Sequence, residues 1–141
     1  MIRPRVVLAE DHPAMATALQ KLLEEEYEVI GVATNAADLV EITTQTAPDL
    51  IVSDIGMPKG GGFRAAAVIL ARRPDARIVF VTGESDPGMI RTAINLGARG
   101  YVLKGDAGDE LVTAARSVID GDQFLSSNAR RSLGWPGDRD D

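Results

Sequence analysis

Asp54 closes the apolar run Leu50-Ile51-Val52-Ser53-Asp54 and is followed at once by Ile55-Gly56-Met57-Pro58. The run reads as a buried strand, which puts a carboxylate at its carboxyl end. In an open α/β sheet the strand ends and the loops leaving them form the crevice where ligands bind, so an acid there faces a pocket. Glu10 and Asp11 end the earlier run Val6-Val7-Leu8-Ala9 in the same way. If the two strands are parallel neighbours, three carboxylates share one small volume. Two unit charges about 5 Å apart repel by roughly 3 kcal/mol at an effective dielectric near 20, so such a cluster takes up protons or binds a cation. The chain has no Cys and one His. An oxygen donor set of this kind suits Mg²⁺ or Mn²⁺, and Mg²⁺ commonly joins one or two carboxylates to waters and phosphate oxygens.

The other groups that phosphoryl chemistry needs also stand at strand ends. Arg77-Ile78-Val79-Phe80-Val81 runs into Thr82-Gly83, which offers a hydroxyl, and Gly100-Tyr101-Val102-Leu103 runs into Lys104, which offers an ammonium. Each residue has a plainer reading by itself. Glu10 and Asp11 could cap the following helix, with Pro13 in its first turn; Thr82 could be a β-former, Lys104 a solvated charge, and Asp54 a turn initiator. Their joint occurrence at successive strand ends is what favours chemistry. His12 reads as a neighbour of the acid pair at a helix start rather than as a phosphate carrier or ligand. Lys59-Gly60-Gly61-Gly62 lacks the Gly-Lys-Ser/Thr ending of a phosphate-binding loop and reads as a flexible linker into a helix.

With Glu10-Asp11, Asp54 followed by Met57-Pro58, Thr82-Gly83 and Gly100-Tyr101-Val102-Leu103-Lys104 in this order and spacing, the chain resembles the receiver (response regulator) domain of two-component signalling from about Arg3 to about Gly121. The phrases Glu10-Asp11-His12-Pro13, Gly97-Ala98-Arg99-Gly100-Tyr101-Val102-Leu103-Lys104 and Gly121-Asp122-Gln123-Phe124-Leu125-Ser126 are similar to those of LuxR/NarL-type receivers. The triple glycine departs from the Met-Asp-Gly common in the family near that point.

The resemblance implies a phosphoacceptor, Asp54, that takes a phosphoryl group from a sensor histidine kinase. It implies metal ligation by Glu10, Asp11, Asp54 and the backbone carbonyl of Gly56, and charge stabilisation by Lys104 and Thr82. Tyr101, three residues before the lysine, would move with Thr82 as a switch read at helix four, strand five and helix five by a partner or a second protomer. A haloacid-dehalogenase-type phosphatase also uses a strand-end Asp with Mg²⁺, Thr and Lys, but it wants a second Asp where this chain has Gly56. A stand-alone receiver acting by protein–protein interaction is a further alternative to a part of a transcription regulator, as is an interaction module that works without phosphorylation, against which the retention of all five polar positions speaks.

The elements that must position these residues follow from periodicity. Met15, Ala18, Leu19, Leu22 and Leu23 mark one helix; Ala36, Leu39 and Val40, after Asn35 as a cap, a second; Phe63, Ala66, Ala67 and Leu70 a third; Ile90, Ala93 and Ile94 a fourth; and Leu111, Val112, Ala115, Val118 and Ile119 a fifth. Glu28–Ala33 supplies the remaining strand. Short apolar strands alternating with helices call for a parallel sheet covered on both faces. The receiver resemblance implies a flavodoxin-like, doubly wound five-stranded sheet in the order 2-1-3-4-5, with strands one and three adjacent.

With 141 residues the chain suits a single core burying about two-thirds of its unfolded surface. Its net charge of −6 argues against a phosphate-backbone binder, so no direct nucleic-acid contact is expected. No run approaches a membrane span in length and no apolar signal region opens the chain, which leads to a cytoplasmic expectation. Residues 1–121 are expected to form the receiver domain and 122–141 a C-terminal extension in which Phe124-Leu125-Ser126-Ser127 folds back and Ser132–Asp141 is a disordered tail. In the LuxR/NarL group a helix-turn-helix DNA-binding domain follows, and these residues contain none; any DNA contact would run through it.

Overall fold

The structure, a computed structural model, describes residues 2–135. Strands β1 (Arg5–Ala9), β2 (Glu28–Ala33), β3 (Leu50–Ser53), β4 (Ile78–Thr82), β5 (Gly100–Leu103) and β6 (Phe124–Leu125) form one parallel sheet in the order β2-β1-β3-β4-β5-β6. The expected order 2-1-3-4-5 is present and is extended at its β5 edge by a sixth strand. Helices α1 (Pro13–Glu24), α2 (Ala36–Thr46), α3 (Gly61–Arg72), α4 (Pro87–Leu96) and α5 (Ala107–Ile119) follow successive strands, and α6 (Ser127–Ser132) follows β6.

The strands are apolar along their whole length because both faces are covered. Alternate residues feed two separate cores. Val7, Ala9, Phe80, Tyr101 and Leu103 pack with α2, α3 and α4, whereas Val6, Leu8, Val79, Val81 and Val102 pack with α1 and α5. Phe63 of α3 meets Phe80 edge-on at 5.4 Å between ring centroids. Leu125, Ala129 and Leu133 join the first core, so the segment after Gly121 is built into the domain.

Local chemistry sets the helix limits. Asn35 caps α2 by accepting from the backbone N–H of Asp38 at 2.9 Å. Pro13 and Pro87 open α1 and α4, where a missing N–H costs nothing. Gly97 closes α4 with φ +119°, a left-handed turn that suits glycine. Ser132 ends α6; of the tail expected from that point, residues 136–141 lie outside the described residues. Among the described residues no helix is long and apolar enough to cross a membrane.

Candidate functional site

Register brings the acids together. β1 and β3 are neighbours, paired from Val6–Leu50 to Ala9–Ser53, so the next residues, Glu10 and Asp54, leave adjacent strand ends side by side. The backbone N–H of Asp54 still donates to the carbonyl of Ala9 at 2.9 Å, extending the ladder to the acid itself. One ligand atom from each of Glu10, Asp11, His12 and Asp54 lies within 4.8 Å of the others. On the far side, β4 pairs with β5 up to Thr82–Leu103, which places Lys104 just beyond Thr82.

Lys104 crosses the gap. Its Nζ lies 3.1 Å from Glu10 Oε1 and 3.4 Å from Asp54 Oδ2. Burial alone would disfavour the ammonium, but the contact to Glu10 and the charges of Asp54 and Glu10 more than offset it, so Lys104 titrates above its ordinary value. It is a permanent cation at neutral pH. The opposing carboxylates are almost wholly enclosed, Glu10 at 1 % and Asp54 at 5 % exposure.

One lysine does not satisfy three acids. Glu10 Oε1, although ion-paired to Lys104, lacks an aligned hydrogen bond, and Asp11 Oδ1 has no hydrogen-bond partner; both atoms are buried. Buried carboxylate oxygens without donors are costly. A hard divalent cation is the group that such a donor set fits, since it would neutralise the excess charge and fill the open acceptor positions.

The capping alternative for the acid pair does not describe α1. Its N-cap residue is His12, which makes no side-chain cap. Glu10 Oε2 instead accepts from the His12 backbone N–H at 3.1 Å, and the His12 ring Nδ1 lies 3.1 Å from the same oxygen and 3.3 Å from Asp11 Oδ1. His12 thus joins the mouth of the site, with its side chain 72 % exposed.

Thr82 and Tyr101 are linked through one intervening residue. The backbone N–H of Glu84 donates to Thr82 Oγ1 at 3.2 Å, and the Glu84 carbonyl accepts from the Tyr101 hydroxyl at 2.7 Å. Tyr101 is 1 % exposed, and its hydroxyl is spent on that carbonyl rather than on water. Burial, then the charges of Glu84, Asp86 and Asp54, push its phenol well above the ordinary value.

The glycines after Pro58 have a function that a flexible linker does not capture. Met57 is buried, Pro58–Gly60 form a 3-10 turn, and α3 begins at Gly61. A Cβ on Gly62 would collide with the Asp54 carbonyl and stand 2.6 Å from Ile55 Cα. Only glycine lets the first turn of α3 close against the Asp54–Ile55 backbone. The sequence signal was there as an unexplained glycine cluster; the partner it approaches was not. Gly56 donates its N–H to Asp54 Oδ1 at 3.1 Å, holding that oxygen from the loop side.

Comparison with known proteins agrees with this arrangement. Residues 6–116 match the response regulator receiver domain family, and the chain belongs to that family. It is 33 % identical over 124 residues to the virulence factors putative positive transcription regulator BvgA of Bordetella pertussis, covering 87 % of this chain and 59 % of BvgA. Similarity to the transcriptional regulatory protein DesR of Bacillus subtilis is 32 % over 130 residues, 91 % of this chain and 64 % of DesR. The chain therefore spans about three-fifths of the length of these relatives. Among solved structures, a LuxR-family two-component response regulator from Aurantimonas sp. superposes with a TM-score of 0.90 at 28 % identity, covering 94 % of this chain and 96 % of that one. The NarL receiver domain of Mycobacterium tuberculosis superposes with a TM-score of 0.81 at 26 % identity, covering 86 % and 99 %. The relatives are LuxR/NarL-type response regulators, as the sequence resemblance implied.

Proposed function

We propose that Asp54 is a phosphoacceptor. A carboxylate oxygen of Asp54 attacks the phosphorus of a phosphohistidine on a sensor kinase; the phosphorus–nitrogen bond breaks, an acyl phosphate forms, and the imidazole leaves with a proton. The observation that carries this reading is the reach of Lys104 to both Glu10 and Asp54, beside a buried Asp11 oxygen that has no hydrogen-bond partner.

Glu10, Asp11, Asp54 and the Gly56 carbonyl would hold Mg²⁺ or Mn²⁺, whose charge would offset that of the phosphoryl oxygens in transit. Lys104 pairs with Asp54 beforehand and with the phosphate afterwards. Thr82 turns its hydroxyl from the Glu84 amide to a phosphate oxygen. Because Glu84 also accepts from Tyr101, movement of Thr82 is felt at Tyr101, and the α4–β5–α5 side of the domain changes with it. Shifting a mostly inactive population to a mostly active one takes about 5.5 kcal/mol, within reach of several charge-assisted bonds to a phosphate.

The domain in this reading turns over only its own phosphoryl group, operates in the cytoplasm, and works within a longer regulator of transcription that meets DNA through a separate domain and pairs with a second copy. Residues 1–121 are its signalling core. The test is the mass of the chain after treatment with acetyl phosphate and Mg²⁺. One phosphoryl group should be added to the native chain and none to Asp54→Asn; stoichiometric labelling of the variant overturns the assignment.

A further inference from the structure

Asp106 stands two residues beyond Lys104, at the end of the 3-10 turn Lys104–Asp106 and at the N-cap position of α5. An aspartate there ordinarily caps its own helix. This one makes no such bond. Its buried carboxylate is turned toward the C-terminal segment: Oδ2 accepts from the backbone N–H of Asn128 at 3.0 Å and Oδ1 from Asn128 Nδ2 at 2.6 Å.

Ser126 completes the tie. Its hydroxyl hydrogen-bonds the same carboxylate and its Oγ accepts from the Leu103 N–H at 3.1 Å, while its own N–H donates to the Tyr101 carbonyl at 2.9 Å. Ser126 is fully buried. Burial alone would raise the Asp106 pKa; the donors from Ser126 and Asn128, with the charge of Arg131, more than reverse this and keep it ionised below the usual carboxylate range. The four residues from Leu103 to Asp106 therefore carry the site's cation and, at both ends, the anchors of β6 and α6. Bonds between 2.6 and 3.1 Å leave little slack on either side of Lys104.

We propose that Asp106 is a positioning residue that couples the Asp54 site to the β6–α6 segment: when Lys104 follows a phosphoryl group, the turn it begins pulls Asp106 off Ser126 and Asn128 and loosens α6. The proposal rests on the phosphoacceptor reading. Coupling of this kind is reciprocal, so the tie must also oppose loading of the site, and cutting it must make loading tighter by the same factor.

The experiment is hydrogen exchange on the 141-residue chain with and without beryllofluoride and Mg²⁺, with bound beryllofluoride followed by fluorine NMR in the same samples. On loading, amides of residues 126–131 should exchange about tenfold faster. Asp106→Asn, which sets an amide donor against donors, should exchange fast before loading, show no further change, and bind beryllofluoride up to about tenfold more tightly. A tie that only holds structure together would leave that affinity unaltered. Asn128→Ala cuts the tie from the other side and should behave alike, which guards against misfolding of either variant. Bound beryllofluoride with unchanged or slower exchange at residues 126–131, or unchanged affinity in both variants, overturns the proposal. No bound signal in the native chain overturns the phosphoacceptor reading with it.

Discussion

Lys104 is the residue on which the charge balance of the site turns. Replacing it with Met leaves Glu10 and Asp54 facing each other with no cation. The expected cost is about 2 kcal/mol, below the 3–5 kcal/mol of a fully enclosed pair because the acids can take up protons and part of the lysine is exposed. Urea unfolding without divalent ions reads the loss, and a variant as stable as the native chain would contradict the pairing. Tyr101→Phe tests the hydroxyl alone. It removes the donor to the Glu84 carbonyl while keeping the ring, so it should cost about 1 kcal/mol and leave acetyl phosphate labelling intact. Labelling lost along with stability would place Tyr101 in the labelling chemistry and contradict the proposed switch.

At the scale of elements, the join between β3 and α3 is unusually close because Gly62 has no side chain. Gly62→Ala must push the first turn of α3 away from Asp54 and Ile55. Overpacking against backbone, which cannot rotate aside, is expected to cost about 1–3 kcal/mol and to slow labelling of Asp54 at saturating Mg²⁺. Thermal unfolding and labelling rate are the two readouts; a variant normal in both would show that the turn accommodates the methyl. The β6–α6 element carries its own pH signature. The folded-state pKa of Asp106 lies below its ordinary 3.8, so its contribution is complete above that value and is lost as pH falls through the lowered folded value. The stability difference between the native chain and Asp106→Asn should thus be constant from neutrality down to about pH 4 and shrink below it. A difference that shrinks instead as pH rises would mean that Asp106 is not an ionised acceptor.

For the whole molecule, the open acid oxygens predict that divalent cations stabilise the fold by binding it and not the unfolded chain. At a concentration about a hundred times the dissociation constant the gain is about 2.7 kcal/mol, and Asp11→Ala should lose most of it. Calorimetric melting with and without Mg²⁺ decides, and equal stabilisation of both chains would remove Asp11 from the ligand set. Two cores on opposite faces make the sheet the shared wall of the domain.

Residue types at strand ends and the alternation of apolar runs with helical periods were enough, from sequence, for the class of fold and for placing Glu10, Asp11, Asp54, Thr82 and Lys104 at successive strand ends, whereas Tyr101 came from the receiver resemblance. Such features are local: burial on two faces writes itself into consecutive apolar residues, and a polar residue that ends such a run is visible without knowing its neighbours. Tertiary structure alone decided that Lys104 reaches Glu10 as well as Asp54, that Gly62 closes on the Asp54 backbone, that Glu84 bridges Thr82 to Tyr101, and that Asp106 leaves its own helix uncapped to hold Asn128. β6, two residues long, has no period to detect. Each of these depends on strand order and register between segments far apart in the chain, and hydrophobic patterning reports that a residue is buried without naming what it is buried against.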